Sequence, residues 1–450
     1  MSHLVVSASG TRGVVGETMT PELAVRISRT FGSYVNQGTV VVGGDTRTST
    51  DCLKYAVISS LLSVGCDVID VGKVPTPTVQ QMVRYHQAAG GIVVTASHNP
   101  VIWNGIKLMN HQGAFLNEQA YSNYSQLYEE NPQPYVAWNQ LGQYREDPNA
   151  IQRHVDFILT HLDPTPIQNS SLRVLIDPNN GAGAIANPIL FEKLGVQYDM
   201  INEQANGHFN HPPEPVEAHL ADTMSQLRSG KYDIGFVQDA DADRLVMLGE
   251  NGQFFGEDYS LALCVDHILG TEAAPSPSVV VNLSTSLVIE SVAKRHQASV
   301  YYTKIGEPYV SQGLRDHKGL VGGEGNGGVI YPKIGWGRDS LVGMVVGLRH
   351  LAMTKSPLSK IIGSYPKYWM HRDKFQVNSR DDIAGFLSQV ESQFQGEKMD
   401  KQDGVKVILD NAWVHVRPSN TEPIVRLFIE ASNESQLHAL IEKVTHLAEV

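Results

Sequence analysis

The chain has 450 residues, 42% hydrophobic and 18% charged, the composition of a soluble globular protein long enough for three or four domains. Its 47 acidic residues against 35 Lys and Arg leave a formal charge of −12, which disfavours nucleic acid and anionic membranes as partners, since both need a positive surface. An anionic small substrate stays compatible, provided its site gathers positive charge locally. The three cysteines, Cys52, Cys66 and Cys264, are scattered without CxxC spacing; this argues against a disulfide framework or a zinc site and fits a reducing compartment. The start, MSHLVVSASG, lacks a charged n-region and a long apolar core, and no apolar run approaches the ~20 residues of a membrane span. No signal peptide is expected, and the location expected is cytoplasmic.

In chain order, Thr20 is a plausible N-cap and Pro21 suits the first turn of a helix that carries Leu23, Ile27, Phe31 and Tyr34 on one face. One unit then occurs three times: β-branched strand, polar or glycine turn, helix with apolar residues at three- and four-residue steps, second strand. It is seen in TVVVGGDTRTSTDCLKYAVISSLLSVGCDVIDVG, in LRVLIDPNNGAGAIANPILFEKLGVQYDMI and in SVVVNLSTSLVIESVAKRHQASVYYTKIG, beginning near residues 40, 172 and 278. Strand–helix–strand units imply parallel pairing with right-handed crossovers, hence α/β domains. The last 80 residues differ: helix (DDIAGFLSQVESQF), strand meander (VKVILDNAWVHVRP, IVRLFIEA), helix (NESQLHALIEKVTHLAEV). The expected domains are 1–150, 151–255 and 256–370, all α/β, and an α+β module over 371–450.

The polar motifs fall at the ends of these strands. SASGTRGVVG (7–16) sets Ser9 and Arg12 in a glycine-rich segment read as flexible, a candidate anion contact. GGDTRTS (43–49) supplies Asp45 and Arg47, read as an ion pair within the domain. In TASHNP (95–100) the run Ile92-Val93-Val94 delivers Ser97 and His98 to the end of a buried strand. A serine hydrolase would carry a G-x-S-x-G elbow, and none occurs. Adjacent side chains on an extended segment diverge, so His98 is poorly placed as the base of Ser97. WNGIKL (103–108) puts Lys107 on the next strand, able to return towards Ser97.

DADADR (239–244) is the strongest single signal. Two carboxylates ~4 Å apart repel by about 1 kcal/mol in water and about 4 kcal/mol at an effective dielectric of ~20. A divalent cation turns that cost into binding, and oxygen-only ligation selects Mg²⁺ or Ca²⁺. An EF-hand would place Glu250 at its last position, but Arg244 occupies the glycine position and the flanks DIGFV and RLVML read as strands. The plain alternative is a solvated acidic loop. A phosphoserine at Ser97 would add three oxygens to a metal shell begun by Asp239, Asp241 and Asp243.

GGEGNGG (322–328) formally contains G-x-G-x-x-G, but VIYPKIGWG follows and opens no helix, so the dinucleotide reading is set aside. Glu324 and Asn326 remain, a carboxylate and an amide suited to sugar hydroxyls, against the alternative of a structural turn. RPSNTEP (417–423), with Arg426 close behind, offers Arg417, Ser419, Asn420 and Thr421. A guanidinium fork and a backbone N–H nest suit a phosphate; a polar hairpin turn is the alternative.

In this order and at these separations, TASHNP, DADADR, GGEGNGG and RPSNTEP resemble the four signature loops of the α-D-phosphohexomutases, a family of phosphoglucomutases, phosphomannomutases and phosphoglucosamine mutases. The resemblance covers essentially the whole chain. It implies three topologically similar α/β domains with mixed, largely parallel sheets, plus a C-terminal α+β domain, around a central cleft. It implies phosphorylated Ser97, Mg²⁺ held by Asp239, Asp241 and Asp243 with the phosphoserine, and a sugar held by Glu324 and Asn326. Arg417, Ser419, Asn420, Thr421 and Arg426 would grip the non-reacting phosphate, and Arg12, His98, Lys107 and Arg244 match positions lining the reaction centre. The implied activity exchanges hexose 1-phosphate and 6-phosphate through a hexose 1,6-bisphosphate that also serves as activator, in a monomer or homodimer.

Asn326 stands where many bacterial members carry serine. That loop and the SGTRG start resemble an archaeal-type, phosphoglucosamine-mutase-like branch, which leans the substrate towards glucosamine phosphate over glucose or mannose phosphate. A metal-dependent sugar phosphatase and a non-catalytic sugar- or calcium-binding protein are the rivals. A hydrolase needs no second sugar-oriented loop, and Arg244 counts against the calcium form.

Overall fold

The computed structural model describes residues 4–7, 9–130, 134–376, 380–418 and 424–448. Four separate sheets organise them. The first has seven strands in the order Val5–Ser7, Gly10–Val14, Trp103–Asn110, Gly90–Val94, Val40–Gly44, Val68–Lys73, Tyr144–Glu146. The second runs Leu245–Gly249, Ile234–Gln238, Arg173–Asp177, Gln197–Met200, and the third Ser299–Thr303, Ser278–Asn282, Val321–Glu324, Gly328–Ile330.

The three sheets share one plan. In each, the first strand of a strand–helix–strand unit pairs in parallel with the strand that ends that unit and with a later central strand. The central strand then turns back into an antiparallel neighbour. The central strands are buried throughout, so Gly90–Val94 and Ile234–Gln238 show no alternation, while the third, Val321–Glu324, holds the first residues of a motif read from the sequence as a glycine-rich loop. TASHNP and DADADR occupy the turn after the central strand, and GGEGNGG runs from the end of its central strand through the turn to Gly328, all at the carboxyl end, where α/β sheets bind ligands.

Local signals set the helices. Thr20 Oγ1 accepts from Leu23 N at 3.3 Å, and Pro21 opens Pro21–Tyr34. Asp339 caps Ser340–Thr354 by accepting from Leu341 N at 2.9 Å and Val342 N at 3.3 Å. One apolar core runs continuously through the three α/β domains, from Val41 and Ile69 through Val174 and Phe236 to Val281 and Val321.

The fourth sheet is wholly antiparallel, in the order Trp369–Gln376, Ile424–Ala431, Ala412–Pro418, Val405–Leu409, Lys398–Asp400. It is backed by the helices Arg380–Gln393 and Glu434–Ala448 and packs around its own core, which includes Val390, Val414, Leu427 and Val444. Its first strand begins at Trp369 and spans the expected boundary. Among the described residues no helix is long and apolar enough to cross a membrane.

Candidate active site

The loop after Gly90–Val94 is built around Arg47, whose guanidinium is fully buried. Its Nη2 donates to Ser97 O and Asn99 O, both at 2.7 Å, its Nη1 to Pro100 O at 2.8 Å and Trp103 O at 3.0 Å, and its Nε to Asp45 Oδ2 at 3.1 Å. Asp45 also accepts from Thr95 Oγ1 at 2.6 Å, and Thr95 Oγ1 in turn accepts from Ser97 N at 2.9 Å. The Asp45–Arg47 pair is thus the frame that presents the serine.

Ser97 is held at φ +49°, in the left-handed region that non-glycine residues enter at a cost of ~1–2 kcal/mol. This corrects the expectation that His98 diverges from it: the turn brings His98 Nδ1 to 3.4 Å from Ser97 Oγ. His98 is nonetheless not a free base. Arg244 Nη2 lies 2.8 Å from the same nitrogen and can only donate, so Nδ1 accepts and Nε2 carries the ring proton. Burial and the Arg244, Arg12 and Arg338 guanidiniums hold the imidazole well below its ordinary range.

The Ser97 hydroxyl donates to Asp239 Oδ2 at 2.9 Å. Asp239 Oδ1 accepts the backbone N–H groups of Asp243 and Arg244, both at 3.2 Å. Asp241 Oδ2 accepts from Thr76 Oγ1 at 2.6 Å and Lys107 Nζ at 2.8 Å. Asp243 Oδ2 accepts from Arg338 Nη2 at 2.6 Å, with Lys107 Nζ at 3.5 Å. Asp241 Oδ1 and Asp243 Oδ1 are buried without a hydrogen-bond partner. One carboxylate oxygen from each aspartate lies within 4.8 Å of the others. Orphaned buried acceptors are costly, and three clustered carboxylates, two of which keep an unpaired oxygen, fit a divalent cation.

The electrostatics agree with that reading. Burial and the neighbouring Asp243 and Asp241 push the Asp239 carboxyl well above the carboxylate range. Burial also raises Asp241, but Lys107 and Thr76 outweigh it and hold this carboxyl below its usual value.

A cleft of about 320 Å³ adjoins this cluster through Lys107, lined by Arg12, His98, Lys107 and Arg244 and also by Glu324, Asn326 and Arg426. Arg12 does not sit on a flexible segment, as expected, but on the strand Gly10–Val14, paired with Trp103–Asn110. Its Nη1 donates to Asn99 Oδ1 at 3.1 Å. Two of the glycines read as flexible are there for space: a Cβ at Gly10 would lie 2.8 Å from Ile106 O, and one at Gly13 would lie 2.4 Å from Thr18 Oγ1. Glu324 Oε1 accepts from Asn282 Nδ2 at 2.9 Å and Gly306 N at 3.0 Å. Arg417 is the last residue but one of the strand Ala412–Pro418 and pairs with Asp403 Oδ1 at 3.1 Å, outside the cleft lining. Ser419, Asn420 and Thr421 lie outside the described residues.

Several contributors escaped the sequence reading. Thr76 opens the helix Thr76–Tyr85 of the first domain, Glu307 opens the helix Glu307–Asp316 of the third, and Arg338 comes from a loop of the third. No spacing rule marks Arg338; the clue was Asp339 behind it, a helix cap that fixes the residue before it.

Comparison with known proteins agrees with the geometry. Four family models match in chain order: phosphoglucomutase/phosphomannomutase alpha/beta/alpha domain I over residues 3–134, domain II over 152–252, domain III over 256–368, and the C-terminal domain over 374–447. A phosphoglucomutase/phosphomannomutase of Thermococcus kodakarensis is 37% identical over 440 residues, covering 96% of each chain. A "probable phosphoglucosamine mutase" of Methanopyrus kandleri is 36% identical, covering 96% of this chain and 95% of its own. The crystal structure of a phosphoglucomutase/phosphomannomutase family protein from Burkholderia thailandensis superposes with a TM-score of 0.85 at 26% identity, covering 98% of this chain and 97% of that one. The chain belongs to the α-D-phosphohexomutase family, whose members are isomerases that work by intramolecular phosphoryl transfer.

Proposed function

We propose that this enzyme interconverts glucosamine 1-phosphate and glucosamine 6-phosphate, with Ser97 as the phosphoryl carrier and glucosamine 1,6-bisphosphate as intermediate. The observation that carries this reading is the Ser97 hydroxyl, donating at 2.9 Å into a buried aspartate triad with two orphaned oxygens. Ser97 is fully buried, and His98, Lys107 and Arg244 beside the triad line the cleft.

Asp239, Asp241 and Asp243 would hold Mg²⁺, which when bound supplies charge stabilisation to the transferring phosphoryl group. The transfer is proton-neutral: the Oγ–P bond of phospho-Ser97 breaks, a sugar O–P bond forms, and the proton lost by the sugar hydroxyl equals the one regained by the serine. In the unphosphorylated state that proton points at Asp239 Oδ2. Lys107, Arg12 and Arg244 gather positive charge at the reacting end, which answers how a chain of net charge −12 binds an anion. His98 contributes a neutral ring, its Nε2–H free to donate. Glu324 and Asn326 are assigned to sugar hydroxyls; Arg417, Ser419, Asn420, Thr421 and Arg426 are assigned, on the family resemblance, to the non-reacting phosphate. For Arg417 this requires sharing its guanidinium with Asp403.

Glucosamine is favoured by Asn326 in the sugar loop and by relatives named for that activity. The second reading, glucose or mannose phosphate, is favoured by the 37% identical Thermococcus relative. The deciding experiment follows the three hexose 1-phosphates in competition, with Mg²⁺ and a trace of hexose 1,6-bisphosphate, by ³¹P NMR. Glucosamine 6-phosphate growing fastest supports the proposal. Glucose or mannose 6-phosphate growing faster overturns the substrate, and inorganic phosphate alone overturns the mutase.

A further inference from the structure

We infer that Arg338 is a positioning residue that sets the cation loop and the sugar-facing loop in fixed register, an inference that rests on the proposed roles of Asp243 and Glu324. Its guanidinium spends all three nitrogens on carboxylates from three backbone segments. Nη2 donates to Asp243 Oδ2 at 2.6 Å, Nη1 to Glu324 Oε2 at 2.7 Å and Nε to Glu307 Oε2 at 3.0 Å.

Each bond leaves its carboxylate in one orientation. With Asp243 Oδ2 taken, Oδ1 is the oxygen left without a hydrogen-bond partner, on a carboxylate that clusters with Asp239 and Asp241. Glu324 has Oε2 held by Arg338 and Oε1 held by Asn282 and Gly306 N, so its plane is fixed from both sides. Glu307 is pinned likewise, since Gln80 Nε2 donates to its Oε1 at 3.0 Å. Lysine has the charge but no planar fork, and cannot serve three carboxylates spread around a plane.

The surrounding chain is shaped for this side chain. Gly328 lies in the strand Gly328–Ile330 and is absent from the positions of positive φ, so its backbone would accept any residue. A Cβ there would stand 2.1 Å from Arg338 Cδ and 2.8 Å from Cγ. The glycine is therefore the passage for the arginine stem, whose head cannot retreat without breaking its three pairs. Behind Arg338, Asp339 N donates to Val329 O at 2.9 Å and the Asp339 carboxylate caps the following helix. Both ends of Arg338 are anchored.

The test must separate position from charge, because deleting a cation beside Asp243 would by itself strengthen cation binding. R338K and G328A both keep the charge. Mn²⁺, which shares the oxygen preference of Mg²⁺, is titrated by electron paramagnetic resonance against the wild type, R338K and G328A without sugar. Hexose phosphate turnover is then measured on the same proteins. Removing the partner that orients a metal-ligating side chain weakens metal affinity roughly 10–100-fold. The expected result is a Mn²⁺ Kd weakened on the order of tenfold in both variants, together with a raised KM for the sugar phosphate. Folded variants that melt earlier but keep the wild-type Kd, or that lose Mn²⁺ with KM unmoved, overturn the coupling. So does a wild type that binds no Mn²⁺. If R338K does not fold, G328A carries the test alone. Wild-type protein that binds Mn²⁺ yet converts no hexose phosphate refutes the proposed function; the Kd comparison still decides the cation half of this inference.

Discussion

Replacing Arg47 by methionine removes the strap from the serine loop while nearly preserving volume. Five side-chain hydrogen bonds are lost, four to backbone carbonyls of residues 97, 99, 100 and 103 and one to Asp45. Removing one partner of a buried ion pair costs about 3–5 kcal/mol, and each unsatisfied carbonyl adds about 1 kcal/mol or more unless water enters. Because these terms share one cavity they do not add, and a net loss of about 4–6 kcal/mol is expected, within reach of the whole stability of a typical domain. Burial already pushes the Asp45 carboxyl above its usual range beside Arg47; without the arginine it rises further. An acid with a raised folded-state pKa binds more protons folded than unfolded, so stability falls as pH rises and the deficit of the variant is smaller at acid pH. Denaturant unfolding at two pH values measures this, and turnover is assayed where the variant is folded. A variant within about 1 kcal/mol of wild type, with full turnover, would refute the reading of Arg47 as the frame of the site.

Three further outcomes are expected. Ser97→Ala keeps the fold and its melting temperature within a degree or two, yet loses conversion of hexose monophosphates to the detection limit; residual turnover above a few per cent contradicts a serine carrier. Mg²⁺ at about 100 times its Kd should stabilise the protein by about 2.7 kcal/mol, and Asp241→Asn should abolish the rise in melting temperature; an equal rise in the variant contradicts the triad as the cation site. His415, buried between Ser284 Oγ at 2.9 Å and Asp403 O at 2.7 Å, has its imidazole lowered by burial to about 4. The unfolded chain takes up the proton near pH 6.5 and the folded one only near 4, so this residue's share of stability is full above about 6.5 and falls by about 3 kcal/mol on acidification towards 4. His415→Asn should flatten that window of the unfolding profile, and an unchanged slope would contradict it.

Much of the fold was legible because buried parallel strands announce themselves. Val40–Gly44, Ile234–Gln238 and Ser278–Asn282 each carry a buried apolar run (VVV, IGFV and VVV) followed by polar or turn residues, and their sequence order carries the repeated topology. The strand Trp369–Gln376 was not read, because WMHRDKFQ is an edge strand, half exposed, with neither alternation nor an apolar run. At the site, the aspartate triad, Ser97 and Glu324 were legible since their chemistry lies in consecutive residues. Thr76, Glu307 and Arg338 were not: each reaches the cluster across a domain or loop boundary, and only tertiary packing brings it there. The Ser97–His98 geometry was misread because extended backbone was assumed where the chain turns left-handed. Arg12 was misread because glycines that make room for neighbouring strands look, in sequence, like glycines that give freedom.

The central claim, that Ser97 hands its phosphoryl group to a sugar, is tested most directly in a single turnover. Protein charged with hexose 1,6-bisphosphate and freed of excess is mixed with one equivalent of glucosamine 1-phosphate, quenched, and analysed by ³¹P NMR and by mass spectrometry of the peptide containing Ser97. The expected result is loss of phosphate from Ser97 matched by glucosamine 1,6-bisphosphate. Phosphate retained on Ser97, found on another residue, or released only as inorganic phosphate would contradict it.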